Sequence, residues 1–117
     1  MFKPLFTAAL LLAAPAFADP PVIRNVNAQE SGGLWSFDVT ITHGDTGWDD
    51  YADGWRILDA DGKEIGMRDL AHPHVNEQPF TRSLSGVEIP VGLTEVGIQV
   101  RDSVGGWSPN ITRVPLR

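Results

Sequence analysis

Residues 35–43 read Trp-Ser-Phe-Asp-Val-Thr-Ile-Thr-His, an uninterrupted alternation of apolar and polar side chains. The apolar members are Trp35, Phe37, Val39 and Ile41, which all share one parity. Successive side chains of an extended chain point to opposite faces, so this stretch predicts a β-strand with one buried face. No window after residue 18 carries a helical apolar period over three turns, which favours an all-β fold.

Segments of the same kind recur along the chain and are separated by clusters of Gly, Pro, Asn and Asp. The further candidate strands are 22–28, 55–58, 64–68, 80–89, 96–101 and 111–116. Residues 59–63, Asp-Ala-Asp-Gly-Lys, fit the turn of a β-hairpin between two of them. About seven strands in a chain of this length predict a single antiparallel sandwich of the immunoglobulin type.

The first eighteen residues, MFKPLFTAALLLAAPAFA, have a character of their own. Lys3 precedes an apolar run over residues 5–14, and Ala16 and Ala18 provide the small residues of a cleavage site. The run is too short to cross a bilayer, which takes about 20 apolar residues. We therefore expect 1–18 to be a signal peptide and 19–117 to be a periplasmic or secreted domain without a membrane span.

The composition is acidic and lacks cysteine: 15 Asp and Glu stand against 9 Lys and Arg, giving a net charge of −6. Nucleic-acid binding is disfavoured because it needs clustered cations. Without cysteine the sequence has no disulfide and no thiol chemistry, so the apolar core alone must hold the domain. The sequence also lacks the G-x-S-x-G nucleophile elbow, and a small sandwich offers little concavity, so we expect no enzymatic activity.

Two segments carry resemblances to known families. The alternation over 96–101 followed by Asp-Ser and, at 106–109, Gly-Trp-Ser-Pro resembles the final hairpin of fibronectin type III and related immunoglobulin-like domains. Residues 47–53 together with 72–82, His-Pro-His-Val-Asn-Glu-Gln-Pro-Phe-Thr-Arg, resemble a group of small exported bacterial proteins with an HPHxxEQPFTR motif. The resemblance implies an immunoglobulin-like fold and an exported protein, and it implies no activity. That group has a histidine in the final turn where this chain has Gly105-Gly106, which weakens any metal hypothesis based on it.

The histidines are candidate metal ligands: His43, His72 and His74 are the three in the sequence. Residues two apart in an extended segment point to the same side, so His72 and His74 could share an ion, and His43 ends a strand in the inward register. Two or three imidazoles would suit Cu(II) or Zn(II). The alternative is structural, with Pro73 extending the chain and the imidazoles bound to loop carbonyls, Asp69 or Glu77.

Residues 44–54 contain four carboxylates between two candidate strands. Oxygen ligands of this kind suit Ca²⁺, but their spacing differs from that of an EF-hand loop. Asp and Gly are also the ordinary residues of tight turns. The loop is therefore predicted either as a calcium site or, more simply, as a turn.

Trp48, Tyr51 and Trp107 fall in predicted loops. A loop aromatic beside polar side chains can stack on a sugar ring, so these three are candidate ligand-binding residues for a glycan. The alternative is that Trp48 and Trp107 close the two ends of a small core.

Arg82 has the same parity as Phe80 and is therefore predicted to point toward the apolar layer. A buried guanidinium needs a carboxylate, and Glu77, Asp69 and Asp102 are the candidates.

Together these features predict an exported, non-catalytic β-sandwich with a binding or structural role. Its partner is expected to be a protein or a cell-envelope component, and its binding surface the loops 43–54 and 72–78. A Cu or Zn protein using the three histidines and a glycan-binding module using the loop aromatics are the alternatives. No further cofactor is expected.

Overall fold

The computed structural model describes residues 19–117, which form two antiparallel β-sheets packed face to face. The signal peptide predicted at 1–18 lies outside the described residues. Within 19–117 there is no helix long and apolar enough to cross a membrane. The strands are β1 (Val22–Ser31), β2 (Leu34–Thr42), β3 (Ala52–Leu58), β4 (Glu64–Asp69), β5 (Phe80–Val87), β6 (Glu95–Asp102), β7 (Gly106–Trp107) and β8 (Thr112–Pro115).

The first sheet has the order β1-β2-β5, and the second has the order β4-β3-β6, with both β7 and β8 paired to β6. The two-residue β7 pairs with the last residues of β6, and β8 pairs with its first four, so the two act as one interrupted strand. The predicted all-β antiparallel sandwich is confirmed. In an antibody constant domain the fourth strand joins the sheet of the first two, whereas β4 here pairs with β3.

The core forms between the inward faces of the two sheets. The parity predicted for 35–43 is confirmed, since Trp35, Phe37, Val39 and Ile41 are all buried. The opposite sheet contributes fully buried side chains from its two central strands, β3 and β6: Trp55, Ile57, Val96, Ile98 and Val100. Each such side chain stabilises the fold by about 1.5–3 kcal/mol relative to an exposed position, which a domain without cysteine requires.

Three loops meet at one end of the sandwich because of the strand register. Ala52 pairs with Asp102, Gly54 with Asp69, and Ile41 with Phe80. The ends of β2, β4 and β6 therefore lie together with the beginnings of β3 and β5. We call the segments 43–51, 70–79 and 103–105 the loop end.

Candidate functional site at the loop end

A buried carboxylate, that of Asp45, joins two of the three loops. Its Oδ1 lies 2.6 Å from Nδ1 of His43 and accepts a hydrogen bond from the backbone N–H of Ala52 at 3.0 Å. Its Oδ2 accepts from the backbone N–H of His74 at 2.7 Å. Hydrogen bonds to an ionised acceptor are about twice as strong as neutral ones, so this carboxylate fixes the relative position of both loops.

Further hydrogen bonds complete the connection between the loops. The side chain of Gln78 accepts from the backbone N–H of His43 at 3.0 Å and donates to the backbone carbonyl of His74 at 2.8 Å. The third loop is bound through Ser103, whose Oγ accepts from the N–H of Tyr51 at 3.0 Å and whose N–H donates to the Tyr51 carbonyl at 2.9 Å. The loop 43–51 is therefore bonded to each of the other two loops.

The turn between β6 and β7 is closed by Asp102. Its Oδ1 accepts from the backbone N–H groups of Val104 and Gly105. Gly106 has a φ of 77°, a conformation that glycine adopts at no steric cost. The glycines found where the resembling proteins carry a histidine thus serve a tight turn in this chain.

His74 is buried, and its ring stacks on Phe80 with 3.9 Å between centroids and 8° between planes. Its Nε2 accepts a hydrogen bond from the Arg82 guanidinium at 2.8 Å, which assigns the ring proton to Nδ1. Burial and the charge of Arg82 lower the pKa of His74 below its usual value of 6.5. The imidazole is therefore neutral near pH 7.

The three histidines all lie at this end, and one nitrogen of each has another partner, whereas Nδ1 of His74 is buried without a hydrogen-bond partner. Nδ1 of His43 is bound to Asp45 and Nε2 of His74 to Arg82. His72 is exposed, with its ring centroid 4.7 Å from that of His74 and its Nδ1 3.0 Å from the Pro73 carbonyl. Residues 19–117 contain no group of three or more His, Asp or Glu side chains arranged to hold a metal ion.

Of the carboxylates of 44–54, those of Asp45 and Asp50 face the two ring nitrogens of His43, and that of Asp53 pairs with an arginine. Asp45 lies inside the loop end, and Asp53 accepts from Arg101 at 2.8 Å. Asp50 Oδ1 faces the other nitrogen of His43 at 3.7 Å. The segment is organised as a turn rather than as a converging set of oxygen ligands.

Arg82 is half-buried, and its guanidinium lies 5.6 Å from the ring centroid of Phe80. Among the three predicted carboxylate partners, the one it contacts is Glu77, at 3.4 Å. Its second contact, to His74, was not predicted from the sequence.

Trp48 stands at the tip of a hydrogen-bonded turn. Thr46 donates to the Asp50 carbonyl at 2.9 Å, and Asp50 donates to the Gly47 carbonyl at 3.2 Å. The Trp48 side chain is 67% exposed, so it does not close the core as one interpretation of the sequence expected. Its ring meets that of Tyr51 edge to face at 5.5 Å, which fixes its orientation.

Trp107 lies apart from this pair, on the outer face of the second sheet. The guanidinium of Arg56 lies 3.9 Å from its ring centroid, and that of Arg101 lies 5.0 Å away. Trp107 also lines an open cleft of about 310 Å³ together with Pro20 and Pro109. The structure therefore brings two of the three candidate aromatics together and places the third in a different setting.

Each loop of the loop end exposes one large apolar side chain. Trp48 is joined by Val75, 50% exposed, and Val104, 58% exposed. The two valines follow His74 and Ser103, which carry bonds between the loops. We call Trp48, Val75 and Val104 the apolar triplet. Sequence reasoning missed the two valines because isolated apolar residues in loops carry no periodic signal.

No known protein family model matches the chain. Over 86 residues the chain is 39% identical to a protein of Halomicrobium mukohataei named "Putative lipoprotein", a match covering 73% of this chain and 42% of the relative. The chain thus spans less than half the length of that relative. A DUF3823 family protein from Bacteroides ovatus, known from a crystal structure, aligns with 100% of this chain and 63% of its own, at 15% identity and a TM-score of 0.49.

Proposed function

We propose that residues 19–117 form a non-catalytic, immunoglobulin-like module that binds a protein partner at the cell envelope through the loop end. The observation that carries this proposal is the apolar triplet, three exposed apolar side chains on three loops, of which 43–51 is hydrogen-bonded to each of the other two. Trp48, at 67% exposure, is the most exposed member.

An exposed tryptophan on a rigid turn is well suited to binding. Tryptophan is among the residues that contribute most to protein interfaces, and it buries a large apolar area when a partner covers it. The hydrogen bonds of the 46–50 turn and the contact with Tyr51 already restrict its motion. Less conformational entropy is therefore lost on binding, which raises affinity.

The cell-envelope setting is supported by three features. Residues 1–18 have the composition of a signal peptide, and the name of the Halomicrobium mukohataei relative describes a lipoprotein. The resemblance of 47–53 and 72–82 to small exported bacterial proteins points the same way.

A non-catalytic role is supported by the partners of the polar groups at the loop end. The groups best placed for proton transfer, those of His43, Asp45 and His74, are buried and bonded mainly to one another, to backbone N–H groups and to Arg82. Their bonds hold the loops in position, which is a structural role.

Site-specific photo-crosslinking in cells tests the proposal. A crosslinking residue at position 75 should give a defined protein adduct that is lost in Trp48→Ala. The matched control is position 91, because Val91 is likewise an exposed valine but lies in the loop between β5 and β6, at the opposite end. Equal adducts from positions 75 and 91, or adducts unaffected by Trp48→Ala, would contradict binding through the loop end.

Glycan binding is a second candidate, favoured by the exposed ring of Trp48 next to Asp49. A sugar that stacks on this ring would quench its fluorescence. The chain has four tryptophans, so the relevant signal is the quenching that disappears in Trp48→Ala. Quenching that persists in this variant would reject the candidate.

A further inference from the structure

We infer that the loop end recognises a basic polypeptide, with a Lys or Arg side chain of the partner seated on the Trp48 ring and acidic side chains around it. This inference rests on the proposed function and specifies the chemistry of the partner.

The loop end is negatively charged. Segments 43–51, 70–79 and 103–105 together hold four acidic residues, of which Asp45 is buried, and no Lys or Arg. The loops 59–63 and 88–94 at the opposite end hold three acids and one lysine. Counting His as neutral, the loop end therefore has a net charge of −4 against −2 for the opposite loops, and this charge attracts a positively charged surface.

The cations that border the loop end do not neutralise it fully. Arg82 contacts Glu77 at 3.4 Å, and Arg101 contacts Asp53 at 2.8 Å. Within residues 19–117, Asp49 forms no ion pair, although it is exposed and adjacent to Trp48. A carboxylate beside the exposed ring is thus available to a cation from outside the domain.

Two of the other three tryptophans, Trp35 and Trp107, have an arginine beside the ring. The Trp107 ring is covered by the guanidinium of Arg56 at 3.9 Å, and the Trp35 ring has Arg117 at 5.5 Å. Such cations are attracted by the negative face of the indole. Among the described residues no Arg or Lys lies over Trp48, so its exposed face offers the same interaction to a partner.

The apolar triplet requires an extended partner. Val75 and Val104 lie on different loops from Trp48, so one ligand that covers all three must extend across the loop end. A polypeptide does so while placing basic side chains beside the carboxylates. Association of this kind is steered by charge and weakens with added salt.

Nuclear magnetic resonance titration of the exported chain with three 12-residue peptides tests the inference. The peptides alternate leucine with arginine, glutamine or glutamate and are otherwise identical. We expect only the arginine peptide to shift the backbone amide signals of residues 48, 75 and 104, with binding that weakens as NaCl is raised from 25 to 200 mM. Trp48→Ala should weaken it by about tenfold, and Asp49→Asn should reduce its salt dependence.

The matched controls are Val91→Ala and Glu88→Gln at the opposite end, which should leave binding of the arginine peptide unchanged. Loop-end binding of the glutamine or glutamate peptide with equal or higher affinity would overturn the basic partner and leave the proposed protein-binding function intact. Loop-end shifts caused by an oligosaccharide, with none from the arginine peptide, would also overturn the inference and favour the glycan candidate. Absence of loop-end shifts with all three peptides would reject the basic partner. Protein binding through the loop end would still be tested separately, by the crosslinking at position 75.

Discussion

The imidazole of His74 accepts a hydrogen bond from the guanidinium of Arg82 at 2.8 Å, so a buried histidine lies directly beside a permanent cation. Burial, Arg82 and His72 lower the pKa of His74, while Glu77 and Asp45 act weakly in the opposite direction. In the unfolded chain the same imidazole has a pKa near 6.5. The unfolded state therefore binds more protons at mildly acidic pH.

This difference predicts how stability depends on pH. As pH falls through about 6.5, His74 takes up a proton in the unfolded state before it does so in the folded state, and the free energy of unfolding decreases. His74→Phe keeps an aromatic ring on Phe80 but removes the titration, so its stability should fall less between pH 7.5 and 5.5. Urea unfolding at the two pH values measures this. Equal losses for both proteins would contradict the prediction.

The buried carboxylate of Asp45 should be the most sensitive polar group of the loop end. Asp45→Asn places an amide N–H₂ among donors, namely the N–H groups of Ala52 and His74 and the ring of His43. We expect a loss of about 2–4 kcal/mol in the free energy of unfolding, measured in urea. The exposed neighbour gives the control, since Asp49→Asn should change stability by less than about 0.5 kcal/mol. Similar values for the two variants would show that the bonds to Asp45 contribute little.

The outer edge of β5 is covered by an arginine from the facing sheet. Arg68 on β4 donates to the Ser83 carbonyl, with a distance of 2.6 Å, and β5 pairs with β2 on its other side. Arg68→Ala frees this edge for pairing with another chain, a known route to association. We expect a loss of about 1 kcal/mol in stability and dimers at high concentration in light scattering. Arg113→Ala, at an exposed position on β8, is the control and should remain monomeric. A monomeric Arg68→Ala protein would show that Arg68 does not protect the edge of β5 from pairing.

The copper or zinc site proposed at His43, His72 and His74 remains a prediction, and the geometry of the histidines defines its test. A metal at Nε2 of His74 must displace Arg82, whose charge also repels the ion. Calorimetric titration with Zn²⁺ and Cu²⁺ should therefore show tighter binding by Arg82→Ala than by the wild-type protein. Adding His74→Ala to that variant should abolish the gain. Tight binding by the wild type that is lost in His72→Ala would instead support the site proposed from the sequence.

The fold could be predicted from the sequence because the alternation of apolar and polar side chains along a strand is a local property of the chain. The side chains of Trp35 and Ile41 are buried as their parity requires. The two-residue β7 escaped recognition as a separate strand because so short a segment has no period. Its pairing with β6 depends on the turn closed by Asp102.

The centre of the loop end could not be predicted in the same way. Asp45 lies in a segment rich in Asp and Gly, where an aspartate is an ordinary turn residue. Its burial depends on His74, which is 29 positions away in the chain. The His-x-Asp spacing of His43 and Asp45 was the available local signal. The exposure of Trp48 likewise follows from the hydrogen bonds of its turn, which composition does not reveal.

At the loop end, one set of residues forms the hydrogen bonds between the loops, and a different set faces the solvent. Asp45, Gln78 and Ser103 supply the bonds between loops, whereas the side chains of Trp48 and Val75 point outward. Substitutions at the outward positions leave those bonds in place. Homologous domains can thus diverge in what they recognise while keeping one architecture, and a library randomised at positions 48, 49, 75 and 104 can be selected for new targets on this scaffold.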